Sequence, residues 1–409
     1  MKRSLGLLVT LLFVTFVSGQ TAADGFQANA NAGVYRVANY KGQIYLAGQQ
    51  FTQINGAARF GVARLLNDGS LDTSYNPNPN GALQGMATNG TKLIVVGSFT
   101  SIGGGPSGGI ARLNYDGTND GTFTASISSA GPIAVQADGK VLVGGHFTTV
   151  GGQPRNRLAR FNADGTLDAT FQPNVDNAVF GITVQPDGKI LICGQFQNVN
   201  GAGRWAFARL NADGSNDSSF AVNAGFPGAN GSTYESVVQA DGKIVVAGAF
   251  SRFTDGNVVR SNVARLNANG TLDASYAPSF DGPAYGLHLQ SDGKILVGGG
   301  FQTMNGVSHQ RIARVNRDGS RDASFTASAD NIVNDIAVAD DGTVLFCGSF
   351  TTVNGTPSIN RIARLYPDGS LDVHSVSMVA GGLLKTIVSL PNGMAMLGGG
   401  ILMIAMAPI

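Results

Sequence analysis

Two neighbouring stretches decide the fold: AVFGITVQPDGKILICGQF at residues 178–196 and WAFARLNADGSNDSSF at residues 205–220. In the first, two apolar segments of strand length flank Pro186-Asp187-Gly188, and in the second the same happens around Ala212-Asp213-Gly214. An x-Asp-Gly sequence between two such segments is typical of a three-residue hairpin loop, in which Gly takes the left-handed conformation. The unit is therefore predicted to contain four short antiparallel strands, A to D.

The length of the second loop also predicts a pairing register. It sets Asn211 against Ser215 and therefore Arg209 against Asp217 on one face of the hairpin. The same Ala-Arg phrase with an Asp eight residues later occurs in seven copies: Arg64/Asp72, Arg112/Asp120, Arg160/Asp168, Arg209/Asp217, Arg265/Asp273, Arg314/Asp322 and Arg364/Asp372. A fixed Asp partner for every Arg favours a neutralised strut between repeats over a basic binding stripe.

The strand-B phrase shows how many units there are. It ends, at intervals of 48 to 54 residues, at Gly48, Gly97, Gly145, Gly194, Gly248, Gly299, Gly348 and Gly399. A period near fifty residues, with four strands per unit and no helical periodicity, is typical of a β-propeller. The sequence therefore predicts an all-β fold with eight four-stranded blades in a single domain over residues 20–409. The glycine pairs of strand B are expected to allow close packing between blades.

The two ends of the chain predict how the ring closes. The last copy supplies strands A, B and C before Ile409, and residues 26–29, ahead of Val34, resemble residues 171–174, ahead of Val179. Three C-terminal strands and one N-terminal strand would then share the last blade, which would remove exposed sheet edges. Seven blades with frayed ends is the alternative. Met406 and Ile401 replace the Arg and Phe of the pattern in this last copy.

The N-terminus has the pattern of a signal peptide over residues 1–19. Lys2 and Arg3 precede a thirteen-residue apolar stretch, and small residues suited to cleavage follow it. The stretch is too short for a membrane-spanning helix of about 20 residues. We therefore expect export to the extracellular space or the cell surface. Cys193 and Cys347 occupy the same position in two repeats, which favours buried small residues over a disulfide.

The repeated phrase resembles a known family. HFTTVGGQPRNRLARFNADGTLDATF at residues 146–171 and SFTTVNGTPSINRIARLYPDGSLD at residues 349–372 are similar to the delta-60 repeat of bacterial secreted and surface β-propellers. The resemblance covers nearly the whole chain after the signal peptide. It implies the propeller fold and export, and it supplies no catalytic residues.

Composition limits the chemistry. Only 13% of the residues are charged, Glu235 is the sole Glu, and 58 Gly residues disfavour a helical bundle. The net charge of +1 gives no reason to expect nucleic acid. The four His lack metal-binding spacing. The Asn-x-Asp-Gly turns resemble a calcium loop only weakly, because they lack its dense run of oxygen ligands. No other cofactor is indicated.

Candidate binding residues lie on the face that carries the B–C and D–A links, where link lengths vary at residues 221–234 and 251–262. Two groups of residues are expected there: the acidic Asp176, Asp281 and Asp330 near the channel mouth, and the aromatic Phe180, Tyr234, Tyr285 and Trp205. Turn chemistry and packing between blades are the alternative roles for these residues.

The leading hypothesis is a secreted non-enzymatic module that binds a partner protein or glycan at the cell surface through this face. The alternative is a carbohydrate-active enzyme, a lyase or hydrolase, that uses the three Asp residues. A glycosidase needs two carboxylates in different environments, and the sequence offers little that fits this requirement. A purely structural module is a third interpretation. The sequence does not indicate an oligomeric state.

Overall fold

The computed structural model describes residues 34–40, 43–48, 52–54, 57–65, 71–88, 92–220, 231–253, 258–338, 342, 344–357, 362–371, 384–389 and 395–399. Within these ranges the chain contains strands and turns and no helix. The predicted signal peptide, the predicted strand at residues 26–29 and the last strand around Ala405 lie outside the described residues, as do residues 221–230 and 254–257 of the two long links.

Each repeat begins with an antiparallel inner strand and middle strand, and in seven of the eight described repeats an outer strand pairs with the middle one. The inner strands are β1 (Val34–Tyr40), β6 (Leu83–Thr88), β11 (Ala130–Val135), β16 (Val179–Val184), β21 (Ser232–Val238), β26 (Ala284–Leu289), β31 (Val333–Val338) and β36 (Leu384–Ser389). The middle strands are β2 (Gln43–Gly48), β7 (Leu93–Gly97), β12 (Val141–Gly145), β17 (Ile190–Gly194), β22 (Ile244–Ala249), β27 (Ile295–Gly299), β32 (Val344–Gly348) and β37 (Ala395–Gly399). The outer strands are β5 (Val62–Leu65), β10 (Ile110–Leu113), β15 (Leu158–Phe161), β20 (Phe207–Leu210), β25 (Val263–Leu266), β30 (Ile312–Val315) and β35 (Ile362–Leu365). We number the repeats 1 to 8 by their inner strands.

The inner strands face one another around a common centre. Each lies beside the inner strand of the following repeat, from β1 to β36, and β36 also lies beside β1. The first strand of every repeat is therefore the innermost.

The fourth strand differs from the expectation of four-stranded repeats. Where the sequence predicted strand D, the described residues contain one bridge to the outer strand, such as that between Leu210 and Asn216. The chain then turns, because the Asp217 carboxylate accepts hydrogen bonds from the backbone N–H of Ser219 at 2.9 Å and its hydroxyl at 2.6 Å. This Asx turn ends the pairing after the bridge, so that the sheets of repeats 1 to 7 have three strands in the described residues.

A two-stranded hairpin fills the link between the middle and outer strands, which sequence reasoning did not find. The seven link hairpins are β3–β4 (Gln53–Ile54, Ala57–Ala58), β8–β9 (Ser101–Ile102, Gly105–Pro106), β13–β14 (Thr149–Val150, Gln153–Pro154), β18–β19 (Asn198–Val199, Ala202–Gly203), β23–β24 (Arg252–Phe253, Val258–Val259), β28–β29 (Thr303–Met304, Val307–Ser308) and β33–β34 (Thr352–Val353, Thr356–Pro357). In repeat 4 the turn is Asn200-Gly201, with φ angles of 52° and 74°. The Asn-Gly dipeptide is the strongest short-range hairpin signal and was present in the sequence.

The core lies between consecutive sheets. Leu142 and Leu158 of repeat 3 pack with Val179, Ile190 and Ile192 of repeat 4 in one buried cluster. A Cβ atom on Gly144 would lie 2.7 Å from a methyl group of Val179 in the next repeat, so Gly at this position allows the close packing that was predicted. Cys193 is a buried free thiol, also as predicted, and the side chain of Cys347 lies outside the description.

Candidate functional site

The antiparallel strands give the molecule two different faces. The starts of the inner strands, the ends of the middle strands and the link hairpins lie on one side, which we call the link face. The turns between inner and middle strands and those after the outer strands lie on the other side, the turn face. Val175, which precedes inner strand β16, bridges to Val199 in the link hairpin, so both kinds of link share the link face.

The repeated Arg–Asp pair is confirmed as a structural element. Nε of Arg209 donates to Asp217 at 2.7 Å, both side chains are buried, and Nη1 of Arg209 donates to the carbonyl oxygen of Ala268 in the next repeat. The guanidinium also lies 4.3 Å from the centre of the Phe220 ring. The pair is therefore the strut between repeats that the fixed spacing predicted.

Sequence reasoning missed a third member of this group. Lys189, at the start of middle strand β17, donates to the same Asp217 oxygen at 2.9 Å. Burial alone would raise the pKa of Asp217, but hydrogen bonds from Ser219, Lys189 and Arg209 outweigh it and lower the pKa. The signal was a Lys 28 residues before the Asp in four repeats and 30 residues before it in repeat 5.

Three of the predicted aromatic residues come together on the link face. The rings of Phe180 and Tyr234 stack with centroids 6.0 Å apart, and those of Tyr234 and Tyr285 lie 5.3 Å apart at 45°. Each residue is the extra residue of a β-bulge at the start of its inner strand. Because a bulge turns one side chain out of the pleat, three consecutive repeats present their rings in a continuous row, which we call the aromatic arc.

His146 extends the aromatic arc. Its ring lies 5.9 Å from that of Phe180, and the side chain is exposed at the end of middle strand β12. The position of His146 in its repeat could have indicated this contact, because the end of a middle strand adjoins the start of the next repeat's inner strand. At the bulges of repeats 2 and 7 the side chains are those of Gln84 and Asn334. Among the bulges whose side chains the structure describes, an aromatic residue is therefore found in repeats 4 to 6.

Two residues next to the aromatic arc set the spacing of its strands. A Cβ atom on Gly181 would lie 2.6 Å from the carbonyl oxygen of Tyr234, so this Gly permits the close approach of β16 and β21. The Glu235 carboxylate accepts a hydrogen bond of 2.7 Å from the backbone N–H of Leu287 in the next inner strand. Burial of Tyr234, with Tyr285 alongside, raises the pKa of its hydroxyl. The sole Glu therefore has a positioning role beneath the rings.

The three predicted Asp residues lie on the link face, where each anchors a link hairpin. Asp176 accepts hydrogen bonds from the backbone N–H groups of Gln197 and Asn198 at 2.9 and 3.0 Å. Asp281 and Asp330 accept equivalent pairs, from Gln302 and Thr303 and from Thr351 and Thr352. Burial alone would raise the pKa values of Asp281 and Asp330, but the hydrogen bonds outweigh burial and lower them.

The structure does not gather these carboxylates into one site. Across the residues that are described, no three His, Cys, Asp or Glu side chains are grouped so as to hold a metal ion. The predicted calcium-like turn has an internal use for its Asp, since Asp164 accepts the backbone N–H and hydroxyl of Thr166 at 2.9 and 2.7 Å. The alternative of a lyase or hydrolase acting through Asp176, Asp281 and Asp330 gains no support from this geometry.

Trp205, the fourth predicted aromatic residue, lies on the link face but makes no described ring contact with the aromatic arc. It is 40% exposed, two residues after the end of link hairpin β18–β19. The hairpins of the next two repeats also expose large apolar side chains: Val259 is 66% and Val307 is 47% exposed. We call this set, on the link face of repeats 4 to 6, the apolar sector: Phe180, Tyr234, Tyr285, Trp205, Val258, Val259 and Val307.

The comparable hairpins of other repeats differ. The second strands of the link hairpins in repeats 2, 3 and 7 are Gly105–Pro106, Gln153–Pro154 and Thr356–Pro357. These strands consist of Gly, Gln, Thr and Pro residues, and they contain no large aliphatic or aromatic residue. In repeats 4 to 6 the exposed apolar side chains lie on the same face as the aromatic arc, and Phe60 of repeat 1, at the position equivalent to Trp205, is also 38% exposed.

Among the solved structures that align with the chain, one supports the fold. The WD40 beta propeller domain of Doa1 aligns with a TM-score of 0.50 and 13% identity, over 83% of this chain and 97% of that one. The extracellular domain of BT4673 from B. thetaiotaomicron aligns with a TM-score of 0.49 and 14% identity over 83% of this chain, which covers only 39% of that one. Puromycin hydrolase aligns with a TM-score of 0.46 and 12% identity, over 90% of this chain and 58% of that one. At these identities the likeness concerns the fold alone.

No curated protein sequence matches the chain. The described part of the chain also contains no helix that is both long enough and apolar enough to span a bilayer. A family model described as "Domain of unknown function (DUF5122) beta-propeller" matches seven segments that together cover more than half of the chain: residues 42–75, 92–123, 136–171, 185–220, 239–276, 290–325 and 339–374. The chain therefore belongs to the DUF5122 beta-propeller family.

Proposed function

We propose that the protein is a binding module that docks a partner protein through the apolar sector of its link face. One observation carries the proposal: large exposed apolar side chains and the aromatic arc occur together in three consecutive repeats. Contiguous exposed apolar surface on a soluble protein is typical of interaction sites. Aromatic residues concentrate in such interfaces because they bury a large area with few rotatable bonds.

The aliphatic residues favour a protein over a glycan as the partner. Val259 and Val307 offer surface for burial and no side-chain hydrogen-bonding group, whereas sugars require hydrogen bonds to their hydroxyl groups. A glycan is the second candidate because the aromatic arc alone, with Phe180, Tyr234 and Tyr285 side by side, presents ring faces on which a saccharide could stack. Both candidates use the same face and predict different sensitivities to mutation.

We also propose the finer features of the fold and its location. Eight blades, with the last one completed by residues 26–29, are supported by the contact between β36 and β1. The delta-60 identity of the repeats is supported by the phrases at residues 146–171 and 349–372. Export to the cell exterior is supported by the pattern of residues 1–19, and the single domain over residues 20–409 by the continuous repeats.

A peptide selection tests the protein-binding proposal. A phage-displayed random peptide library is panned against the full protein, and the enriched peptides are synthesised for affinity measurement. Tyr234→Ala and Val259→Ser are each expected to weaken binding by about tenfold or more, because hot-spot side chains typically contribute about 2 kcal/mol or more. The matched control is Tyr366→Asn, which changes a 41% exposed Tyr on the turn face to the residue that repeats 2 to 6 carry there.

The outcomes separate the candidates. Enriched peptides that bind Tyr234→Ala and Val259→Ser as well as they bind the parent protein, or that lose affinity for Tyr366→Asn instead, would refute the assignment. A glycan array provides the second arm. Glycan binding that is lost in Tyr234→Ala and retained in Val259→Ser would identify the aromatic arc as a saccharide site.

A further inference from the structure

His309 ties the link hairpin of repeat 6 to two other segments of that repeat. It directly follows β29 (Val307–Ser308), and its backbone N–H donates to the carbonyl oxygen of Gln302 at 2.9 Å, which closes the hairpin. In its ring, Nδ1 lies 3.3 Å from the carbonyl oxygen of Ile312 in outer strand β30, and Nε2 lies 3.2 Å from Nη1 of Arg321. The residue is only 5% exposed.

These two ring contacts are compatible only with a neutral imidazole. The carbonyl oxygen of Ile312 accepts, so Nδ1 carries the proton, and the guanidinium of Arg321 can only donate, so Nε2 accepts. Repeat 2 shows the same direction of the first bond, because the hydroxyl of Ser107 at the equivalent position donates to the carbonyl oxygen of Ile110. A proton on Nε2 would break the bond to Arg321 and place two buried cations side by side.

Repeat 6 differs at this position from four other repeats. There the residue equivalent to His309 is an Arg: Arg59, Arg155, Arg204 and Arg260. Arg155 and Arg260 donate from Nη2 to backbone carbonyl oxygens of the segment that follows their outer strand. In repeat 6 that segment itself carries the cation, Arg321, where repeats 1, 3 and 5 have Leu71, Leu167 and Leu272. A permanently charged donor in the link has thus been replaced by a titratable acceptor.

The segments packed around His309 contain other charged groups, and these are engaged elsewhere. The carboxylate of Asp322 is held by Arg314 and Lys294 at 2.7 and 2.8 Å. That of Asp330 accepts two backbone N–H groups of the next link hairpin, and the guanidinium of Arg311 donates to backbone carbonyl oxygens. Arg321 is therefore the charged group that acts on the ring of His309.

Protonation of His309 is coupled to opening of the hairpin. Burial lowers the pKa of the ring, Arg321 acts in the same direction, and the bond to the carbonyl oxygen of Ile312 opposes them without reversing the shift. In an open hairpin the ring meets water, and its pKa returns to about 6.5. Because the closed form binds fewer protons than the open form, closure is most favourable above about pH 7 and weakens as the pH falls below about 6.5.

We propose that His309 is a pH-sensitive brace, which holds the link hairpin of repeat 6 closed when neutral and releases it when protonated. In that hairpin β28 (Thr303–Met304) pairs with β29, whose Val307 belongs to the apolar sector. Release of the hairpin withdraws Val307 from the docking surface, so that partner binding weakens in mild acid. This last step rests on the proposed function, whereas the brace itself is independent of it.

Hydrogen–deuterium exchange of the full protein without a peptide tests the brace, with rates at pH 7.5 and pH 5.5 corrected for intrinsic exchange. We expect the protection of residues 303–308 to fall by up to about tenfold at pH 5.5, one unit below the ordinary pKa of His. The link hairpins β13–β14 and β18–β19, which are followed by Arg155 and Arg204, are internal references and should keep their protection. Unchanged protection of residues 303–308, or an equal loss in the references, would overturn the proposal.

The chain supplies a matched variant. His309→Arg combined with Arg321→Leu gives repeat 6 the pair of residues that repeats 1, 3 and 5 carry, so it should fold and keep the hairpin protected at both pH values. A pH response that persists in this double variant would refute the role of His309. NMR titration of the parent protein, with the His309 signal assigned from His309→Gln, is a second measurement. A pKa at or above about 6.5 would also refute the brace.

Peptides selected on the apolar sector test the effect on docking. They should bind the parent protein several-fold more weakly at pH 5.5 than at pH 7.5, and the double variant equally at both. A pH response of binding that remains in the double variant would refute regulation by His309 and point to His146, which contacts Phe180. Failure to select any peptide that binds the apolar sector would refute the proposed function, and the exchange result would still decide whether the brace exists.

Discussion

Arg209 and Ala268 belong to different repeats, and the guanidinium of the first donates a hydrogen bond of 2.5 Å to the carbonyl oxygen of the second. The same guanidinium holds Asp217 within its own repeat at 2.7 Å. Equivalent bonds to the following repeat join Arg64 to Tyr115, Arg112 to Ala163, Arg160 to Ala212, Arg265 to Arg317 and Arg314 to Pro367. One side chain therefore fixes both the hairpin register and the spacing between neighbouring repeats.

Removing this guanidinium should be far more costly than removing the neighbouring lysine. Arg209→Ala leaves the buried Asp217 carboxylate without its main partner, and we expect a loss of about 3–5 kcal/mol in the free energy of unfolding. Lys189→Ala removes a cation that is partly exposed and should cost about 1 kcal/mol or less. Urea denaturation measures both. Equal losses in the two variants would show that the contact between repeats contributes nothing.

Stability should fall in acid because the struts contain ionised Asp residues. Hydrogen bonds outweigh burial and lower the pKa values of Asp120, Asp168, Asp217, Asp273 and Asp322. Since the folded-state pKa lies below the unfolded value of about 3.9, this contribution is complete at neutral pH. It is lost progressively as the pH falls below about 5.

Urea midpoints at pH 7 and pH 3 measure this effect, with Asp217→Asn as the comparison. The variant should be less stable than the parent protein at pH 7, and the difference should narrow at pH 3, because the carboxylate is then largely protonated in the parent's unfolded state. A parent protein with the same midpoint at both pH values would contradict the role assigned to the struts.

The close approach of inner strands beneath the aromatic arc should make Gly181 intolerant of a side chain. In Gly181→Ala the added Cβ would lie 2.6 Å from the backbone oxygen of Tyr234, and we expect a cost of about 1–3 kcal/mol. Gly203→Ala is the control, because no atom lies within 4 Å of the position of its Cβ. Its effect should stay within about 0.5 kcal/mol. Thermal unfolding measures both, and a neutral Gly181→Ala would mean that β16 and β21 lie further apart.

Cys193 should be unreactive in the folded protein. The thiol is buried, and that burial raises its pKa to about 12, with hydrogen bonds to Thr233 and Ser236 acting in the opposite direction. In a Cys347→Ser background, iodoacetamide is expected to label the protein only at the rate of unfolding, because the thiolate is the reactive form. Rapid labelling under native conditions, before any unfolding, would show that the centre of repeat 4 is open to solvent.

The sequence predicted those features that are determined by the period of the repeat and by loop length. The Arg209–Asp217 register followed from a three-residue loop, and the common position of Phe180, Tyr234 and Tyr285 followed from the repeat. It did not reveal that these rings touch, because their direction depends on a bulge that is visible only in the strand pairing. The length of strand D was overestimated, because the side chain of Asp217 competes with the outer strand for backbone N–H groups. The link hairpins were missed although Asn200-Gly201 signalled one.

Hydrogen–deuterium exchange of the protein, with and without a selected peptide, tests the binding surface most directly. We predict protection by the peptide in the link hairpins of repeats 4 to 6 and at the starts of β21 and β26, around Tyr234 and Tyr285. The turns at Asp187, Asp241 and Asp368 on the opposite face should exchange unchanged. Protection that is confined to those turns, or spread evenly over all repeats, would contradict the assignment of the apolar sector as the binding surface.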